Sequence, residues 1–231
     1  MRIEGALSFG VFLRRPNRFL AICKVGGREL PCYLPNPGPM PDLLYPGLEV
    51  LVRHAPAHHR KTEYDLIGVR NRGVLLSLDS RVPNKLLAEA FSIQSVPPFA
   101  HYSDIKPEPS YLGSRLDFLL QNGTHNPCLI EAKSSTHAEH SIAYFPRAVT
   151  LRGQRHLQEL MHAVDNGYRA AIIFIVQRSD AHSLRPHDLI DPDFGSILRK
   201  AVSHGVEAFA WSSHINESTF EITLGKPLPV D

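Results

Sequence analysis

Seven consecutive apolar residues, Ala170–Val176 (AAIIFIV), restrict the folds open to this chain. The run is too short to span a bilayer, which takes roughly 18 residues. It is also wrong for a strand with one wet face, because successive side chains of a strand point to opposite sides. A strand apolar on both sides belongs in the centre of a sheet covered above and below. The flanking sequence supplies the cover. Thr150 can cap a helix with an apolar stripe of Leu157, Leu160, Met161 and Val164, ended by Gly167. Asp191-Pro192 opens another, with Phe194, Ile197, Leu198 and Ala201 on one face and Gly205 as its stop. Val206–Ser212 reads as a further strand. The second part of the chain is therefore expected to be an α/β unit.

The first 80 residues have a different grain. Short runs at 6–14, 18–25, 29–34, 48–54, 64–69 and 74–79 are separated by turn signals: Gly26-Gly27, the Pro35–Pro39 segment and Asn71-Arg72-Gly73. Five or six short strands in this space predict a small OB-like β-barrel. Val82-Pro83 reads as the joint, with Asn84 capping a helix that carries Leu86, Leu87, Ala90 and Phe91. The expected domains are residues 1–83 and 84–231. Overall this is an α+β chain.

Charge divides along the same line. Up to Pro83 there are 12 Lys and Arg against 7 Asp and Glu; beyond it there are 13 against 16. A basic half beside an acidic half suits a polyanion grip next to a carboxylate-bearing site. The barrel's cations fall in loops, at Arg14, Arg15 and Arg18, at Arg60 and Lys61, and at Arg70 and Arg72, with Phe12, Phe19 and Tyr64 interleaved. Such a face can bind single strands by stacking and charge; for any single one of these aromatics, a place in the barrel core is the plainer reading. His54, His58 and His59 lack an acidic or Cys partner at ligand spacing and read as a loop cluster, weakly basic below about pH 6.5. Cys23, Cys32 and Cys128 are odd in number and lack CxxC spacing, which argues against disulfides and structural zinc. The N-terminus MRIEGALSFGVFLRR lacks the form of a secretory signal, so a cytoplasmic protein without membrane association is expected.

The chemistry-bearing residues sit inside two apolar segments, Ser114–Leu120 (SRLDFLL) and Cys128–Ser134 (CLIEAKS). Residues two apart on a strand share a face, so Glu131 and Lys133 point the same way. Asn122-Gly123 is a turn signal that would bring Asp117 opposite them. Burying two carboxylates and an ammonium is costly unless they pair or hold a metal. Hard oxygen ligands suit Mg²⁺ or Mn²⁺, which can polarise a phosphodiester and acidify a bound water. A structural ion pair of Lys133 with either acid is the plainer reading of the same residues.

These residues resemble the D…(D/E)-x-K core of the PD-(D/E)xK nuclease superfamily. More closely, the chain resembles the sugar fermentation stimulation protein family (SfsA). The matching segments are RPNRFL (15–20), PNPGPM (35–40), SRLDFLL (114–120), IEAKS (130–134), Phe145-Pro146 and AVTLRGQRHLQEL (148–160). The resemblance implies an N-terminal OB-like domain and a restriction-endonuclease-like α/β domain that binds DNA. It implies metal ligation by Asp117 and Glu131, with the Ala132 carbonyl available, and a catalytic role for Lys133. Glu108 is an added candidate acid and metal ligand. Gln154 and His156 fall on the following helix, where related nucleases place a polar residue near the site. Arg147, Arg152 and Arg155 would add phosphate-binding charge there, as would Arg115. In the barrel, Arg15, Arg18, Arg60 and Lys61 are the candidate contacts. The chain departs from the family pattern at Ala132, at Ser135-Thr136-His137 and at Arg147.

Three functions are consistent with these features. One is a metal-dependent nuclease acting on DNA, or on RNA. Another is a non-catalytic nucleic-acid-binding regulator of sugar metabolism, as the family's name suggests. The third is a binding scaffold with a charged structural cluster. The oligomeric state stays open, a homodimer included.

Overall fold

The computed structural model describes residues 1–56 and 60–231. His58 and His59 lie outside the described residues; His54 packs against Tyr64, with ring centroids 5.0 Å apart. Among the described residues no helix is long and apolar enough to cross a membrane.

The first part is a coiled antiparallel sheet of β1 (Leu7–Asn17), β2 (Leu20–Val25), β3 (Arg28–Tyr33), β4 (Glu49–His54), β5 (Tyr64–Asn71) and β6 (Val74–Ser77). Strand order is β3-β2-β1-β4-β5-β6, and β3 also pairs in parallel with β5 at Cys32 and Tyr64, which closes a five-stranded barrel. Gly10 allows the tight coil of β1: a Cβ there would lie 2.7 Å from the Lys24 carbonyl oxygen. Phe12, Cys23, Cys32, Leu66 and Leu76 fill the interior. Of the aromatics interleaved with the barrel's cations, Phe12 is core, the plainer of its two readings, and out of reach of any ligand.

Helix α1 (Val82–Ser92) follows. It starts three residues earlier than expected, with Pro83 in its first turn, where a missing N–H costs nothing. Arg81 is the N-cap and makes no side-chain cap, so Asn84 lies inside the helix and its amide is free for another task.

The second part is built on a six-stranded sheet. Its strands are β7 (Asp104–Pro107), β10 (Phe118–Gln121), β11 (Cys128–Ser135), β14 (Arg169–Val176), β16 (Glu207–Asn216) and β17 (Glu221–Leu228). The order is β17-β16-β14-β11-β10-β7, with β11, β14 and β16 parallel and the outer strands antiparallel. Small pairings complete the unit: β8 (Ser110–Tyr111) with β9 (Ser114–Arg115), and β13 (Ile142–Phe145) with β12 (His137–Glu139) and β15 (Ser183–Pro186).

The apolar run forms β14. Ala171, Ile173 and Ile175 face a core shared with α1, Phe91, Phe99 and Phe118. Ile172, Phe174 and Val176 face another, made with α2 (Leu151–Asp165) and α3 (Pro192–Ser203). Each fully buried Ile or Phe contributes about 1.5–3 kcal/mol, which ties both layers to this strand. Thr150 caps α2 by accepting from Gly153 N, and Asp191 caps α3 by accepting from Phe194 N.

The two parts are fastened together. Met1 donates to the Ile222 carbonyl on β17, Arg70 makes a bidentate pair with Glu217, and Gln177 donates to the Asp79 carbonyl.

Candidate metal and nucleic-acid site

Strands β10 and β11 pair in the register Phe118 to Ile130, and the Asp117 N–H donates to the Ile130 carbonyl at 3.0 Å. Asp117 therefore stands at the mouth of the hairpin, one residue before β10. Its Oδ2 accepts the Ala132 N–H at 2.7 Å, and its Oδ1 accepts from Asn84 at 2.6 Å. On β11, Lys133 Nζ donates to Glu131 Oε1 at 2.5 Å. The three residues marked out by sequence are thus brought to one spot.

His156 completes the cluster from α2. Its ring is buried, and Nδ1 lies 2.5 Å from Glu131 Oε1, off the line of a good hydrogen bond. Arg152 Nε donates to His156 Nε2 at 3.3 Å. A guanidinium can only donate, so Nε2 must accept and Nδ1 carries the ring proton, toward Glu131. Glu131 Oε2 is buried without a hydrogen-bond partner.

The acids are pushed in opposite directions. Burial opposes charge on Glu131, but His156 and Lys133 outweigh it and hold its pKa below the ordinary value. Burial and then repulsion from Glu131 raise Asp117, against the Ala132 N–H, Asn84 and Lys133. Lys133 lowers both acids, and the remaining difference comes from His156 on Glu131 and from burial and Glu131 on Asp117.

Several expected contacts lie elsewhere. Glu108 has its backbone N–H on the Asp117 carbonyl, but its side chain is exposed and paired with Arg115 at 3.1 Å. It does not join the two acids. Gln154 turns away and donates to Asp191 at 2.8 Å, tying α2 to the cap of α3. His156 is buried and cannot touch nucleic acid; it supports Glu131 instead. Arg147 donates to the Pro39 carbonyl and pairs with Asp42, which also meets His137 at 3.1 Å, so it clamps the barrel loop rather than facing solvent. Arg15 donates to the carbonyls of Arg18, Asn36 and Gly38, which fixes the proline-rich loop. Arg18, Lys61, Arg115, Arg152 and Arg155 remain exposed, and Arg60 is half-buried against Asp65.

Two features escaped the sequence reading. Asn84 looks like a helix cap, and nothing local tells that it reaches Asp117. Glu159, one turn beyond His156, is buried and accepts from Ser114 Oγ at 2.5 Å, with its Oε2 unpartnered. A carboxylate on the apolar stripe of α2, beside Leu160, was the available signal for it.

A cleft of about 320 Å³ lies between Met1–Glu4, the barrel and α1, and includes none of the three triad residues. Its lining mixes Arg2, Arg53 and Lys85 with Glu4, Asp79 and Glu89, without the paired acids that chemistry on a phosphate requires.

A family model described as the sugar fermentation stimulation protein RE domain matches residues 81–219, and one described as the SfsA N-terminal OB domain matches residues 13–78. The sugar fermentation stimulation protein homolog of Moorella thermoacetica is 46% identical over 225 residues, covering 96% of each chain. That of Alkaliphilus metalliredigens is 42% identical over 221 residues, covering 95% of each. Among solved structures, Pyrococcus furiosus SfsA, in complex with Ca²⁺, superposes with a TM-score of 0.91 at 29% identity, over 100% of this chain and 98% of that one. The expected fold, an OB-like barrel followed by a restriction-endonuclease-like α/β domain, is borne out.

Proposed function

The chain belongs to the sugar fermentation stimulation protein family, and from that premise we propose that it binds DNA and hydrolyses phosphodiester bonds with the help of Mg²⁺ or Mn²⁺. In this reading residues 1–83 grip the nucleic acid and residues 84–231 cut it, in the cytoplasm, where three free, buried cysteines are at home.

The observation that carries the reading is the unpartnered, buried Oε2 of Glu131 beside Asp117, whose pKa is raised. An acceptor oxygen stripped of water is costly unless something positive meets it. The donors that fit are Asp117, Glu131 Oε2 and the Ala132 carbonyl, all hard oxygens. Among the described residues no group of three or more His, Cys, Asp or Glu can hold an ion by itself. With three protein oxygens at most, an ion here would complete its coordination shell with waters and phosphate oxygens. The Pyrococcus furiosus relative was solved with Ca²⁺, a cation of the same ligand preference. When bound, such an ion would polarise the phosphodiester and lower the pKa of a bound water.

The chain's own residues do the rest. Lys133, on the other oxygen of Glu131, is placed to orient the attacking water and offset charge developing on the phosphate. His156 and Arg152 hold Glu131 from behind. Arg115 and Arg155, both exposed, supply cations for the flanking phosphates.

The test is cleavage of labelled single-stranded, duplex and tailed DNA with Mg²⁺ or Mn²⁺. Wild type should cut, and Glu131→Gln and Lys133→Met should each lose on the order of 10²-fold or more. Absence of cutting on every substrate, or full activity in Glu131→Gln, would refute the reading.

A further inference from the structure

We propose that the barrel holds an unpaired stretch of nucleic acid in the cleft between β2, β3 and the Arg60–Asp65 segment, and that this cleft leads to the Asp117 cluster. The proposal rests on the function just given and deepens it by naming the form of the substrate.

The cleft measures about 640 Å³ and is lined by Phe19, Tyr33, Arg53, Arg60, Lys61 and Arg81, among others. Phe19 and Tyr33 present nearly parallel rings, 17° apart with centroids at 6.3 Å. Phe19 is 39% exposed, yet its backbone is pinned: its N–H donates to Asn17 Oδ1 and its carbonyl accepts from Leu34 N. An aromatic side chain held in water by a fixed turn is available as a platform.

Cations surround the rings. Arg18 lies over Phe19 at 4.8 Å and Arg60 over Tyr33 at 5.4 Å. The acid in the floor, Asp65, is buried and paired with both Arg53 and Arg60, so it does not repel phosphate. Lys61 is exposed and has no ion-pair partner among the described residues. Aromatic rings need the faces of bases. A duplex hides those faces within its own stack, whereas an unpaired strand offers them.

The path to the cluster is short. Arg81, which lines the cleft, is the N-cap of α1; Asn84, three residues on, donates to Asp117. Residues three apart lie on one side of a helix, separated by about 5 Å of rise. A strand leaving the cleft past Arg81 therefore comes directly to the acids. The preferred substrate is then a duplex with a single-stranded tail rather than a blunt duplex.

Binding of labelled oligodeoxythymidine, blunt duplex and tailed duplex, measured by fluorescence anisotropy in EDTA, tests this apart from cleavage. Wild type should bind the oligothymidine and prefer the tailed to the blunt duplex. Phe19→Ala and Phe19→Leu should each weaken oligothymidine binding about tenfold, the leucine variant keeping apolar bulk so that folding is not at issue. Lys61→Ala should flatten the salt dependence by about 0.7 in log–log slope. Unchanged binding in both Phe19 variants, or equal wild-type affinity for blunt and tailed duplex, overturns the proposal. Cutting that persists alongside unchanged binding would leave the triad reading standing; intact groove binding without cutting would remove the triad reading alone.

Discussion

His156 and Glu131 meet at 2.5 Å between α2 and the central sheet, both buried, so the candidate acid is held by a helix that lies far along the chain. With Lys133 on the same oxygen, Oε1 is fully engaged and Oε2 is left for another partner. This relationship makes the site sensitive to residues that never touch substrate.

Replacing His156 by Ala should take the ring N–H away from buried Glu131 Oε1 and leave Lys133 as its partner. The expected cost is about 1–3 kcal/mol of stability, as for a buried acceptor that loses a donor. Urea unfolding at pH 7.5 measures it, and a loss below about 1 kcal/mol would mean that the contact carries little.

Asn84→Ala removes the donor to Asp117 Oδ1 and should cost about 1–3 kcal/mol. Asn84→Asp places a third acid at the cluster and should cost more, with the excess recovered on adding Ca²⁺. Thermal melts with and without Ca²⁺ separate the two effects.

A divalent ion that binds only the folded chain should raise stability by about 2.7 kcal/mol at 100 times its Kd. Asp117→Asn should abolish that gain. Calorimetry that found the same gain in wild type and variant would move the cation away from Asp117.

Gln154→Ala tests the reassignment of that residue. Its bond to Asp191 links two helix starts, so the melting temperature should fall while DNA affinity stays within about twofold. A selective loss of DNA affinity would restore the contact role expected from sequence.

The Asp42 latch gives a pH dependence. Burial works against its charge, but His137 and Arg147 hold the carboxyl well below the usual range. A depressed pKa contributes stability that is present above the unfolded value of about 3.9 and is lost as pH falls through the folded pKa. Asp42 is 41% exposed, so solvent screens the pair and the contribution is about 1 kcal/mol or less. Asp42→Asn should melt below wild type at pH 7, with the gap closing under strongly acid conditions; a gap that widens with acid would reverse the assignment.

Sequence alone determined the elements whose causes are local. The seven-residue apolar run had to be a central strand, because no polar side was left to face water. The turn-punctuated short runs had to coil into a barrel, and the i, i+2 spacing of Glu131 and Lys133 put them on one face. Thr150 and Asp191 marked helix starts through hydroxyl and carboxylate chemistry legible in a few residues. What the tertiary structure decided were the partners of side chains long enough to reach across the molecule. Arg147 could face a phosphate or Asp42, Gln154 the acids or Asp191, and Asn84 its own helix or Asp117, with the same local sequence in each case. Those choices depend on which surfaces lie within a few ångströms once the sheet and barrel have docked, and hydrogen-bond energies fall off too steeply with distance for spacing along the chain to foretell them.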